Sequence, residues 1–372
     1  MKKLLLTILA LAVAFSAFAE IRLGALFSVT GGASFLGDPE KKTLEMLVDQ
    51  VNAAGGLNGE KIELFVYDTQ GQEDRAINYT NRLVQKDNVL AILGPSTTGE
   101  SLAIRERAAG FKIPLITCAA SAAIVTPANL YVYKTPQSDT HIAERILSYM
   151  ADQDIKTVGL ITVQNGFGQT GRDAVMAIAP KYGIEVVADE KYMDKDKDVT
   201  VQLSKIKDKN PGAVICWAAG GSPALVARNA AALGITNLYM SHGVASPKFI
   251  ELAGDAANGI KLAAGRIVVA DKLEEGDKYK ALLMKYKSDY EARFGGKVSP
   301  FGGHAYDAFT LFKAAYMKSG SDRTKLAEEL QKLTGVLGTA GEFNMTAEDH
   351  NGLTKEAAIM LEIKDGQFTP LK

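Results

Sequence analysis

Cysteine, histidine and tryptophan are scarce in this chain, at two, four and one in 372 residues. Two cysteines exclude the disulfide scaffolds that staple short secreted domains. Cys118 and Cys216 both sit in apolar, strand-like runs. A bridge between them is chemically permitted in an oxidising compartment, but such positions favour buried, inert thiols. The histidines, His141, His242, His304 and His350, show no spacing that would gather a metal ion. The H-E-x-x-H, phosphate-loop and G-x-S-x-G signatures are absent, so nothing pairs a nucleophile with a base. An enzyme is therefore not expected, nor any metal or cofactor. No basic tract is present, which argues against a nucleic-acid partner. Beyond the N-terminus no stretch is apolar for long enough to span a membrane.

The N-terminus reads as an export signal. Lys2 and Lys3 are its basic start, Leu4 to Phe15 its apolar core, and Ala17-Phe18-Ala19 a small-x-small cleavage site. Cleavage before Glu20 removes residues 1–19 and with them two of the 42 basic residues. That leaves 40 against 43 acidic ones, a net charge of −3. Neither cysteine lies at the cleavage site, so no lipid anchor is expected and the mature chain should be free in a Gram-negative periplasm. With 47% hydrophobic and 23% charged residues, the remainder has an ordinary globular composition. Its length suggests two domains.

Hydrophobic periodicity gives an alternation of strands and helices. The spacing predicts strands at Ile21–Ser28, Lys61–Asp68, Val89–Leu93 and Ile113–Thr117. Helices are expected around Leu44–Val51, at Glu73–Gln85 and at Leu102–Ala109. After a break near Thr135–Thr140 the alternation restarts, with strands at Thr157–Val163, Gly183–Glu190, Gly212–Trp217 and Asn237–Ser241. Helices Gly168–Ala179, Thr200–Lys207 and Pro223–Leu233 lie between them. The fold class is α/β, one parallel-sheet module carried twice. Lys278–Arg293 reads as a helix. Ala305, Ala308, Phe309, Phe312 and Tyr316 form one apolar stripe of another, a pattern of core packing. A C-terminal hairpin is expected around Asp365-Gly366.

One turn stands out. Leu93-Gly94-Pro95-Ser96-Thr97-Thr98-Gly99 joins a strand to a helix and is rich in hydroxyls. Unpaired amides at a helix start make a seat for a carboxylate or phosphate, whereas the bland alternative is an N-cap serving its own helix. The adjacent strand end Cys118-Ala119-Ala120-Ser121 converges on the same place, which favours the seat. Two other motifs are decoys. Gly166-x-Gly168-x-x-Gly171, with Asp189 and Glu190 downstream, imitates a dinucleotide fingerprint, but Gln164 and Asn165 separate its first glycine from the strand. Asp194-Lys195-Asp196-Lys197-Asp198 imitates a calcium loop, yet has Val199 where glycine is needed and Lys205 where glutamate is needed.

Taken in order, Ile21–Phe27 with Thr30-Gly31, Asp49–Gly59, Gly94–Thr98, Ile113-Pro114 through Thr126, and Ala305-Tyr306-Asp307-Ala308 resemble the type I periplasmic solute-binding proteins. The nearest likeness is to the Leu/Ile/Val-binding family that serves ABC transporters. The resemblance implies a two-lobed type I fold, each lobe a parallel sheet flanked by helices, with three hinge crossings near Thr135–Thr140, Ala264–Ala270 and Val336–Gly341. The N-terminal lobe would be residues 20–137 plus 268–338, and the C-terminal lobe 138–267 plus 339–372. It further implies a monomer that binds a small solute, a hydrophobic branched-chain-type amino acid, and delivers it to a permease in the inner membrane. A secreted α/β enzyme would need a catalytic constellation, and a sensor would need a signalling partner.

Site residues carry over one at a time. Thr98 would bond the ligand carboxylate, with Ser96 and Thr97 beside it. Ala120 would supply an amide and Ser121 a hydroxyl. Leu36, Phe35 and Phe301 would contact the apolar part of the ligand, with Phe167 and Ala219 facing them from the second lobe. His242 is the departure, because amino-acid binders of this family place a carboxylate there for the ligand ammonium. Histidine supplies no negative charge, and loss of that pair should cost on the order of 2–5 kcal/mol. With His242 in the site, an aromatic or keto acid lacking an α-amino group becomes an alternative ligand, suited to Phe35, Phe167, Phe301 and Trp217.

Overall fold

Strands buried on both faces require helices above and below them, and the chain supplies both in alternation. The computed structural model describes residues 20–371, so the expected export signal at 1–19 lies outside the described residues. In order come β1 (Glu20–Phe27), α1 (Ser34–Ala53), β2 (Lys61–Asp68), α2 (Glu73–Gln85), β3 (Ala91–Leu93), α3 (Thr98–Gly110), β4 (Leu115–Thr117) and β5 (Val132–Lys134). The five strands form a parallel sheet in the order β2-β1-β3-β4-β5. The chain then makes α4 (Asp139–Asp152), β6 (Thr157–Val163), α5 (Gly166–Ile178), β7 (Glu185–Tyr192), α6 (Thr200–Lys207), β8 (Ala213–Trp217), α7 (Pro223–Ala232), β9 (Leu238–Met240), α8 (Pro247–Ala253) and β10 (Lys261–Ala264). Helices α9 (Lys280–Phe294), α10 (Pro300–Ser319) and α11 (Arg323–Leu330) follow. After them come the small ladder β11 (Val336–Leu337) and β12 (Glu342–Phe343), then hairpin β13 (Ile359–Lys364) and β14 (Gln367–Pro370).

The second sheet has the order β14-β13-β10-β9-β8-β6-β7, parallel from β10 to β7 with an antiparallel hairpin at one edge. This is the expected doubled α/β architecture. Phe309, Phe312 and Tyr316 of α10 pack with Leu44 and Val48 of α1 on the first sheet, so the apolar stripe is core. Cys118 and Cys216 are buried free thiols in separate cores. Strands β5 and β10 carry no clear signal in the sequence, whereas α4, absent from the sequence expectation, has an apolar face at Ile142, Ile146, Leu147 and Met150. The two strands are only three and four residues long, too short for a readable alternation.

Packing locates the passages between the sheets. Between Lys134 of β5 and Asp139 of α4 the chain leaves the first sheet for the second. Residues Arg266–Lys272 straddle the two, with Ile267 and Ala270 against Met46 and Tyr286, and Val269 in the second core. The third passage departs from the sequence expectation. Ala340, Phe343, Met345, Leu353 and Ala357 all belong to the core of the first sheet, and only from Ala358 do side chains enter a second-sheet core. The crossing thus lies near Ala357–Ala358 rather than Val336–Gly341. The physical reason is the free edge of β5, which residues 350–351 cover. Lys134 N–H donates to the His350 carbonyl, and the His350 ring lies within hydrogen-bond distance of the Val132 carbonyl at 3.0 Å.

Buried side chains tie these passages together. Gln137 donates to the carbonyls of Ala340 and Ala357, and Asn351 to those of Lys134 and Pro136. Asp307 of α10 accepts from the amides of Thr339 and Ala340 and from the Thr339 hydroxyl. Burial pushes its carboxyl up to about 7 despite those three donors.

At the end of β3, Gly94 adopts φ +87°, and a Cβ there would overlap the Leu26 carbonyl oxygen of the neighbouring strand. Only glycine meets both conditions. Gly94→Ala should therefore cost roughly 2–4 kcal/mol of stability. Urea unfolding checks this, and an unmoved midpoint would contradict it.

Candidate functional site

The turn after β3 is organised from below by two buried carboxylates. Glu100 accepts from the Thr97 amide and hydroxyl and from the Ser28 hydroxyl, while Thr97 Oγ1 accepts from the Glu100 amide. This is a reciprocal capping box at the start of α3. The Ser96 hydroxyl donates to Glu40 and accepts from the Ser28 amide. Burial raises both carboxyls above the ordinary range, Glu40 most. The hydroxyls of Ser96 and Thr97 are thereby committed to the scaffold. The Thr98 hydroxyl and the amides of Thr98 and Gly99 have no acceptor among the described residues. The amides of Ala119 and Ala120, past the end of β4, have none either. Four amides and one hydroxyl at a helix start suit an anionic oxygen.

The second lobe presents a matching helix start. Asn165 caps α5 by accepting from the Gly168 amide, leaving the amides of Gly166 and Phe167 unpaired. Gly166 lies against Gly99 and Thr98, where an added Cβ would sit 3.2 Å from the Gly99 nitrogen. Gly220 likewise faces Phe35 across the gap, with 3.6 Å from an added Cβ to the ring. The two lobes therefore meet across a space that remains open at its rim.

That space is a cleft of about 600 Å³. Of the residues expected in the site, Leu36, Ser96, Thr97, Thr98, Ala120, Phe167, Ala219, His242 and Phe301 line it. Ser121 and Phe35 do not. Ser121 is fully buried and its hydroxyl accepts from the Ala123 amide, capping the short turn 122–124. Phe35 packs edge-on against Phe301 at 5.5 Å, with its ring toward Gly220. Trp217 is fully buried in the second-sheet core, 6.0 Å from Phe167 and 6.2 Å from His242. The sequence reading missed His304 of α10, which also lines the cleft. Its only sequence signal is an imidazole one turn after a helix-starting Ser-Pro.

His242 and His304 are buried, at 6% and 3% exposure, and neither ring has a hydrogen-bond partner among the described residues. Burial above all, then the Lys134 cation and, for His304, the His242 ring, push both down to about 3. Both are neutral at pH 7. The lining carboxylates Glu73, Asp194 and Asp196 occupy exposed or half-exposed positions, so the buried wall carries no negative charge.

The two decoy motifs have structural explanations. A Cβ at Gly168 would overlap the Val163 carbonyl and one at Gly171 the Trp217 ring, so these glycines let α5 pack on its sheet. The aspartates of the charge run accept from their own loop and from two neighbouring side chains. Asp196 takes the Met193 amide, Asp198 the Thr200 amide, and Asp194 the side chains of Asn165 and Ser222.

The buried histidines generate a pH prediction. Their unfolded value is near 6.5 and their folded value about 3, so below pH 6.5 the unfolded chain binds protons that the folded chain refuses. Their contribution to stability is full above 6.5 and is lost as pH falls toward 3, at about 1.4 kcal/mol per pH unit for each ring. A double variant, H242Q with H304Q, should lose less stability than the parent between pH 6 and 4 in urea unfolding. Equal losses would contradict the assignment.

With this geometry in hand, comparison with known proteins is informative. A family model described as periplasmic binding protein matches residues 20–367. Leu/Ile/Val-binding protein homolog 3 of Brucella melitensis is 25% identical over 365 residues, covering 96% of this chain and 95% of that protein. The leucine-, isoleucine-, valine-, threonine- and alanine-binding protein of Pseudomonas aeruginosa is 26% identical over 327 residues, covering 84% and 83%. Among solved structures, an extracellular ligand-binding receptor from Rhodopseudomonas palustris HaA2 superposes with a TM-score of 0.89 at 30% identity, covering 95% of this chain and 100% of that one. The match of the family model over nearly the whole length, on a doubled α/β fold that borders a cleft, makes this chain a member of the periplasmic binding protein family.

Proposed function

We propose that this protein is a monomeric periplasmic receptor that closes its lobes on an organic carboxylate lacking an α-ammonium group and delivers it to an ABC permease in the inner membrane. The observation that carries this reading is the charge balance of the cleft. Unpaired amides of Thr98, Gly99 and Ala120 favour an anionic oxygen, while His242 is neutral and the buried wall holds no carboxylate for an ammonium. An ammonium stripped of water there would lack a counter-charge, which is costly in a closed site. Phe167 and Phe301 provide apolar contact for the body of the solute.

A hydrophobic branched-chain-type amino acid is the second reading. The names of the Brucella and Pseudomonas relatives favour it, and Glu73, beside Gly99 at the rim, offers a carboxylate for the ammonium. Thermal unfolding separates the two. A micromolar ligand at millimolar concentration stabilises by roughly 4 kcal/mol. Benzoate, phenylacetate or branched-chain keto acids should raise the melting point and leucine, isoleucine and valine should not. The reverse pattern would establish the amino-acid reading.

Two substitutions sharpen the test. Thr98→Ala should weaken binding of the stabilising acid by about 1–3 kcal/mol in calorimetry, because one carboxylate oxygen is left desolvated and unpaired. Unchanged affinity would place the carboxylate elsewhere. His242→Glu should turn the preference toward amino acids by restoring a negative charge, and no gain in leucine binding would remove His242 from the ammonium position.

A further inference from the structure

Each lobe contributes one histidine set among aromatic rings. His242 of the second lobe stands edge-on to Phe167 at 5.5 Å and to Trp217 at 6.2 Å, and His304 of the first stands edge-on to Phe301 at 6.3 Å. Both line the cleft, both are more than nine-tenths buried, and neither imidazole is hydrogen-bonded to any described residue. Buried polar groups are normally paired, and in each ring Nδ1 is fully buried without a partner, which leaves Nε2 as the nitrogen that a molecule in the cleft can reach.

The chemistry of that partner is constrained. A neutral imidazole carries one N–H donor and one bare nitrogen acceptor. Neither neutral ring offers a charge, so a second anion or an ammonium set against it would be desolvated without an ion pair from that ring. A hydroxyl or carbonyl oxygen matches a neutral donor and acceptor at no such cost. The flat aromatic faces around both histidines suit a ring.

Resting on the carboxylate reading above, we infer that His242 and His304 are specificity-determining residues that hold an uncharged oxygen of the solute in addition to its carboxylate. The preferred solutes are then hydroxy- or oxo-substituted aromatic acids. Without the oxygen, the two rings stay unpaired in the closed cleft, and this penalty discriminates against the plain acid.

Calorimetry on the full mature chain tests the inference with matched pairs: benzoate and phenylacetate against their 3- and 4-hydroxy derivatives, and phenylglyoxylate as the oxo acid. At least one substituted acid should bind tenfold or more tighter than its parent. In His242→Phe and His304→Phe the ratio of substituted-acid to parent-acid affinity should fall below threefold, and His304→Gln, which retains a donor and an acceptor, should keep part of that preference. The melting point of each unliganded variant establishes that it is folded. Parent acids that bind as tightly as all their derivatives would overturn this inference and leave the carboxylate reading standing, as would a preference that survives in both phenylalanine variants. Binding of leucine with no binding of any aromatic acid would overturn both.

Discussion

The first wall of the cleft hangs on the Glu100 carboxylate. It gathers the Thr97 amide, the Thr97 hydroxyl and the Ser28 hydroxyl beneath the turn, while Glu40 holds Ser96 from the other side. Burying two carboxylates is unfavourable in itself, and their raised protonation range reflects it. In return, the chain enters α3 at one angle, with the Thr98 and Gly99 amides free. Under the proposed reading, the affinity of this wall for an anion would come from oriented amides and the helix end rather than from a basic side chain.

The same economy of charge extends through the middle of the molecule. Lys134, fully buried where the chain leaves the first sheet, is pushed down to about 7 by burial, and Asp307, which holds the Thr339–Ala340 turn, is pushed up to about 7. With the two depressed histidines, the interior on which the lobes converge works with polar groups close to neutrality. A solute entering it exchanges water for hydrogen bonds of fixed direction, and shape and donor pattern outweigh net charge.

Much of this was legible in the sequence where elements are long or strongly patterned. The bounds of β2, α2, β6 and α6 match the periodic segments, and the glycine at the end of β3 marks the turn. The third crossing was not legible, because the segment that covers the edge of β5 has no period of its own and is held by single side chains such as Asn351 and His350. Within the site, Thr98 and Ala120 follow from a strand end that meets a helix start. The commitments of Ser96, Thr97 and Ser121 to scaffold bonds do not, since a hydroxyl looks the same in sequence whichever way it turns. His304 was missed because its partner across the cleft, His242, lies 62 positions earlier, and only the fold brings the two to one cavity.

Under the proposed closure, Gly166 and Gly99 would set how far the jaws shut. Where these helix starts meet, backbone faces backbone with nothing between, so the closing distance is the thickness of a peptide rather than of a side chain. A methyl group at Gly166 would act as a doorstop. It would leave each lobe folded and each half-site intact, yet hold the halves a fraction of an ångström too far apart for one small molecule to touch both. A single methyl group, touching neither imidazole's hydrogen bonds, would thus set the grip of the whole trap.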